Sequence, residues 1–183
     1  SGSAIQTNDV KANAHINNPD GGYIVQTTVR PGTGDHSPVT SMPPIVNCTQ
    51  NSICTFPVPA SDADGNTLNY RFSTAAEAGT GFVQPGPPQA PNAGSINPTT
   101  GIYTWNTTGA TVVAGKNTLY STQVTIEEKN GSGTVIGKIA VDFFIQLVAN
   151  TGTPPVFTSP TCGATLPVTT GQLISFIAAA SDT

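Results

Sequence analysis

The chain has 183 residues, of which only 9% are charged, with six Lys and Arg against ten Asp and Glu and a formal net charge of −4. Cations so few and so dispersed form no basic patch for nucleic acid or anionic lipid. No run approaches the roughly 18 apolar residues of a membrane-spanning helix. The sequence holds 19 Gly and 16 Pro among abundant Thr, Ser and Asn. Disordered chains pair such a composition with high net charge and few β-branched residues. Here Val, Ile and Thr are plentiful, which predicts an all-β domain with many turns and hydroxyl-rich outer faces.

In chain order, β-branched or aromatic runs bounded by Gly, Pro, Asn and Asp predict strands at residues 23–29, 53–59, 68–72, 101–105, 118–127, 135–148 and 173–179. The only helical signal is one turn at residues 75–78. The Pro/Gly stretch 79–94 reads as a long surface loop, or as a binding loop carried on a rigid scaffold. In residues 118–127 the alternation is imperfect, with Val124 and Ile126 on the core face. In residues 135–148, Ile139, Val141, Phe143, Ile145 and Leu147 share one face, and Lys138, Asp142 and Gln146 the other. Between these last two strands, Asn130-Gly131 marks a hairpin turn.

Part of the sequence occurs twice. Pro38, Val39, Ser41 and Pro43 fall opposite Pro155, Val156, Thr158 and Pro160, and Phe56 to Gly65 reappears in part as Phe176 to Thr183. The offsets are 117 and 120 residues, the length of one β-sandwich domain. The expected organisation is therefore a preceding unit's late strands or an N-terminal extension at 1–36 and a sandwich at 37–149. A linker at 150–155 and the first strands of a second repeat at 156–183 would follow.

Of the three cysteines, Cys48 and Cys54 flank a short polar segment. A disulfide closing that loop implies an oxidising compartment; two reduced thiols are the alternative. Cys162 has no evident partner.

Residues 60–70, A-S-D-A-D-G-N-T-L-N-Y, resemble the A-x-D-x-D-G-D-x-L-x-Y signature of cadherin-like and dystroglycan-type immunoglobulin-like repeats. Residues 94–105, G-S-I-N-P-T-T-G-I-Y-T-W, resemble a later segment of the same repeats. V-D-F-F-I-Q-L-V followed by P-P-V-F is similar to their last strand and the entry to the next repeat. The three cover about residues 38–148. The resemblance implies an immunoglobulin-like β-sandwich of a large secreted or surface protein, in a group with many bacterial members.

Asp62, Asp64 and Asn66 offer oxygen ligands at alternate positions, as calcium loops do, and the resembling repeats often bind calcium through such acids. Asp142, Glu127 and Glu128 are candidates for the remaining ligands; a hydrogen-bonded turn is the plainer reading. Asn66 stands where the pattern often has Asp, and the linker lacks the acidic run of cadherin junctions. Asp35-His36-Ser37 holds the residue types of a catalytic triad, but adjacent side chains on an extended segment diverge, and His15 lies in a polar segment, so both histidines are expected in exposed loops. Lys116 and Lys138 are candidates for an isopeptide crosslink, without a motif. Sequons occur at Asn47, Asn106 and Asn130. Trp105 is expected in the core.

The expected function is a non-enzymatic structural or adhesive repeat of an extracellular protein, contacting neighbouring domains or copies of itself through β-strands. One alternative is a filament subunit assembled head to tail by strand complementation of its terminal half-domains. The other is a carbohydrate- or protein-binding module, for which Phe82 is the sole aromatic of the long loop.

Overall fold

The computed structural model describes residues 2–3, 13–19, 22–32, 34–150, 156–159, 165, 167–171, 173, 175 and 178–181. Its elements begin with β1 (Gly2–Ser3), β2 (Asn13–His15), β3 (Gly22–Tyr23), β4 (Val39–Thr40), β5 (Ile45–Thr49), β6 (Ile53–Pro57) and β7 (Ala60–Ser61). They continue with β8 (Thr67–Phe72), α1 (Ala75–Ala78), β9 (Ser95–Ile96), β10 (Ile102–Asn106), β11 (Asn117–Lys129), β12 (Val135–Val148), β13 (Val156–Ser159) and β14 (Ala179–Ser181). Contacts divide the chain into two compact units, Ser1–Ala149 and Asn150–Thr183.

The first unit is an immunoglobulin-like β-sandwich. One sheet runs β5, β12, β11, and the far edge of β11 is shared by β2 and β8; the other runs β6, β10, β9. The pairing of β5 with β12 and of β2 with β11 is parallel; the other ladders are antiparallel. Between the sheets lie Val58, Tyr70, Tyr103, Trp105, Tyr120, Val124, Ile126, Val141, Phe143, Ile145 and Leu147. Trp105 packs edge to face on Tyr120, and its Nε1–H donates to the Asn92 carbonyl at 2.9 Å. This pairing satisfies the indole's polar atom inside an apolar layer.

Local chemistry sets the connections. In the β11–β12 hairpin, Asn130 Oδ1 accepts the amides of Ser132 and Thr134, closing the turn. Before β10, Asn97 Oδ1 accepts the amides of Thr99 and Thr100, and Gly101 takes φ +66° with the Tyr70 ring against it. Only glycine suits both constraints. The single helical turn α1 carries a capping box between Thr74 and Glu77.

β11 is buried on both faces, which explains its blurred alternation. Val124 and Ile126 enter the core, as expected, while the N-terminal segment crosses the opposite face. That segment starts as β2 beside β11, accepts Gln123 Nε2–H at the Ile24 carbonyl (2.9 Å), and bridges Thr28 to Lys138 on the far edge of β12. It forms a strap over the sheet. The described residues of 13–36 belong to the same compact unit as the sandwich.

Four local expectations also change. Residues 23–29 form only β3 and an isolated bridge, since the strap crosses the sheet instead of extending it. Cys48 lies within β5, not in a loop. His15 is buried, edge to face with Phe144 at 5.3 Å, because β2 turns it onto the sheet face. Among the described residues of 173–179, which are 173, 175, 178 and 179, only Ala179 lies in a strand, where β14 begins.

β2 and β8 leave a gap on the edge of β11 at residues 120–123, and two side-chain amides fill it. Asn17 Nδ2–H donates to the Ser121 carbonyl at 2.8 Å, while Asn17 Oδ1 accepts the Ser121 amide at 2.7 Å. Gln84 repeats the arrangement at Gln123, donating to its carbonyl at 2.8 Å and accepting its amide at 3.3 Å. Each side chain imitates a strand neighbour, which keeps buried backbone groups paired. The loop 79–94 thus lies along β11, with Pro85, Gly86 and Ala90 buried.

In the second unit, β13 and β14 pair antiparallel with Val156 opposite Ser181 and Phe157 opposite Ala180. In the first unit, β4 and β7 pair with Val39 opposite Ser61 and Thr40 opposite Ala60. The residues of the two ladders correspond by the sequence repeat, so the repeated segments adopt the same strand register. Cys162 lies outside the described residues.

Candidate functional site

A cluster of acids gathers where the strap, the turn after β7 and the end of β11 meet. Asp62 Oδ1 accepts the amides of Asp64 and Asn66, each at 3.0 Å, which curls the turn and presents Asp64 outward. The strap brings Asp35 and His36 alongside. The His36 amide donates to Asp64 Oδ2 at 2.6 Å, and its ring Nδ1 lies 3.1 Å from Asp64 Oδ1. Asn66 Nδ2–H donates to Glu128 Oε1 at 2.6 Å and reaches Asp35 Oδ1 at 3.4 Å. One carboxylate oxygen each from Asp35, Asp64 and Glu128 lies within 4.8 Å of the other two. A shallow cleft of about 230 Å³ opens beside them, lined by Arg30, Gly34, Asp35, Asp64 and Ile136.

Glu128 is only 1% exposed. Burial raises its carboxyl above the ordinary value, Asn66 opposes that by donating a hydrogen bond, and the charges of Asp35 and Asp62 raise it further. The amide of His36, and then its ring, hold Asp64 below the usual range, and the same contact raises His36. Two buried oxygens in this region, Asp62 Oδ2 and Glu128 Oε2, have no hydrogen-bond partner among the described residues. Opposite Glu128, position 137 is glycine, and a Cβ there would collide with Glu128 Oε2. The missing side chain leaves room for the carboxylate.

This donor set fits calcium. The converging atoms are hard oxygens with excess negative charge, and calcium takes about six to eight such ligands in irregular geometry. Asp35, Asp64 and Glu128 each offer one converging oxygen and could hold a metal ion.

Of the residues singled out from sequence, Asp62, Asp64, Asn66 and Glu128 come together. Asp142 stands opposite Gln123 in the middle of β12, outside the cluster. Glu127 accepts from Arg71 Nε–H at 2.6 Å and from Asn69 at 3.2 Å. Arg71 also holds Glu77 at 2.7 Å, and Lys138, considered for a crosslink, pairs with Glu77 at 2.8 Å. Arg71 above all keeps the Glu77 carboxyl far below its ordinary value. Asp35 was visible in the sequence only as part of a triad, but the ring of His36 faces Asp64. The signal that marks Asp35 as a site residue is positional: it stands just ahead of β4, and β4 pairs with β7, the strand that leads into the Asp62 turn.

Cys48 and Cys54 form a disulfide, with an S–S distance of 2.01 Å. Asn47 and Asn106 are exposed and Asn130 is half-buried, as is Phe82. The other notable concavity, about 630 Å³, is lined by Gln50, residues 112–117 and residues 146–149. No described helix is long and apolar enough to cross a membrane.

No protein-family model matches the chain. Among curated proteins it is similar to integrin beta-like protein A of Dictyostelium discoideum, with 30% identity over 145 residues. The match covers 75% of this chain but only 6% of that protein. Among solved structures, it is similar to human protocadherin-24 EC1-2 (17% identity, 81% of this chain and 60% of that one, TM-score 0.41). Titin domain M7 is a second such structure (16% identity, 64% and 98%, TM-score 0.28). The strand order and register of the chain itself make it an all-β, immunoglobulin-like sandwich.

Proposed function

We propose that the chain is a non-enzymatic structural or adhesive module of an extracellular protein, with a calcium ion held by Asp35, Asp62, Asp64 and Glu128. The observation that carries this reading is the Glu128 carboxyl, buried with Oε2 unpartnered among the described residues and with one oxygen within 4.8 Å of oxygens of Asp35 and Asp64. A protein interior keeps such a group charged only with a compensating partner, and a cation supplies one. The disulfide supports an oxidising, extracellular setting. The shared register of β4–β7 and β13–β14 supports an array of like domains, and the integrin beta-like relative suits a surface role.

Calcium adds charge compensation and crosslinks the Asp62 turn to the end of β11. Asp62 shapes the turn, Asn66 orients Glu128, and Gly137 clears its space. The filament alternative draws less support, because β2 is already hydrogen-bonded along β11 of its own chain. A ligand-binding role for the loop 79–94 has the same difficulty, since Gln84 ties the loop to β11.

The test is thermal denaturation in chelator and in millimolar calcium, with magnesium as comparison. A higher midpoint in calcium is expected; identical midpoints in all three would overturn the metal reading.

A further inference from the structure

The cluster is assembled from two parts of the fold. Asp62, Asp64 and Asn66 sit on the turn after β7, and Glu128 ends β11. Asp35 alone is carried by the strap. The first part of the strap packs on the sandwich through Ile16 and through His15 on Phe144, whereas its described residues from 22 onward are held by discrete polar contacts: the Ile24 amide on the Ala78 carbonyl, Gln123 on the Ile24 carbonyl, and the Thr28–Lys138 pair. Val25 and Val29 on the strap are exposed. Segments with few buried apolar contacts open separately from the core.

We infer that the acidic cluster is a cation-operated latch for this N-terminal strap. This rests on the calcium reading of the cluster. Without a cation, Asp35 is drawn to the sandwich by Asn66 and by the neighbouring His36–Asp64 contact, yet it must approach Asp64 and Glu128, charges of its own sign. With a cation among the three, the strap's end is bound to the sandwich through Asp35, and release of the strap requires loss of a ligand. The coupling is reciprocal, since whatever favours the docked strap also favours the ion. What the latch covers is the β11 edge at Ser121, whose amide and carbonyl are otherwise free to pair with another strand.

The test combines hydrogen exchange by mass spectrometry with calorimetric calcium titration on the full chain. Calcium should slow exchange of the Ile16, Ile24 and Thr28 amides by roughly ten-fold or more, the order expected when a bound ligand shifts an opening equilibrium. Asp35→Asn should weaken binding and remove the calcium dependence at those amides. Ile24→Pro deletes the strap hydrogen bond to the Ala78 carbonyl. It should lower calcium affinity about three-fold by the same linkage, and it keeps the question open to test if Asp35→Asn proves too unstable. Calcium binding that leaves strap exchange unchanged, or an Ile24→Pro affinity equal to wild type, would overturn the latch and leave the calcium reading standing. No calcium binding at all would overturn both.

Discussion

Removing Asn17 tests whether a side-chain amide stands in for a missing strand neighbour. Asn17 is 1% exposed and makes a reciprocal pair with the Ser121 backbone, a donor bond to the Val83 carbonyl at 2.9 Å and a longer contact with the Ser121 hydroxyl. Asn17→Ala leaves the amide and carbonyl of Ser121 without partners at the seam between β2 and β8. A buried polar group stripped of its partner costs about 1–3 kcal/mol. For two such groups, with partial rescue by entering water, the loss is about 3 kcal/mol, a substantial share of the roughly 5–15 kcal/mol that holds a domain together. For a unit of this size that corresponds to a fall in midpoint of roughly 6–12 °C. Fluorescence of the buried Trp105 follows the transition, and exchange of the Ser121 amide reports the seam directly. Asn17→Asp should be at least as damaging, because it keeps the acceptor but places a carboxylate against the Ser121 carbonyl. A midpoint within about 2 °C of wild type, with Ser121 exchange unchanged, would refute the reasoning: so small a shift lies below that of even one lost buried hydrogen bond.

Four further outcomes follow from the same geometry. Glu128→Gln removes a buried charge among like charges, so in chelator at neutral pH it should melt above wild type, yet gain nothing from added calcium. Gly137→Ala should displace the Glu128 carboxylate and weaken calcium binding on titration while leaving the disulfide intact. Replacing Cys48 and Cys54 together by Ala opens a loop with a sequence separation of six, and denaturant melts should show a loss of about 2 kcal/mol. The Glu77 carboxyl is held below its ordinary value of 4.5, so its stabilising contribution is full above that pH and lost as pH falls beneath it. Glu77→Gln should therefore be less stable than wild type at pH 7, with a gap that narrows on acidification.

The site was partly legible in the sequence. Alternate oxygens at Asp62, Asp64 and Asn66 are a local pattern, and Asp62 needs only its own backbone to form the turn. Glu127 and Glu128 could not be told apart by type. The pleat separates them, turning Glu128 toward Asn66 and Asp35 and Glu127 toward Arg71. Asp142 was an equally plausible acid until the register set it opposite Gln123. Asp35 joined the site only through the path of the strap, a contact spanning 31 residues to Asn66 that no local pattern encodes.

By itself, the sequence determined what short-range chemistry decides. Period-two alternation placed β12 and its core face, turn residues at Asn97–Gly101 and Asn130 punctuated the strands, and the 117–120-residue repeat marked two like segments, whose β4–β7 and β13–β14 ladders the structure gives a common register. Tertiary structure alone decided which edge of which sheet each segment met. The described residues of 13–36 became a strap because β11 offered an unpaired edge and an outer face that the segment could cover. Asn17 and Gln84 became surrogate strands for the same reason. Unpaired backbone in a buried ladder is costly wherever it occurs, and only the folded chain reveals where it would occur.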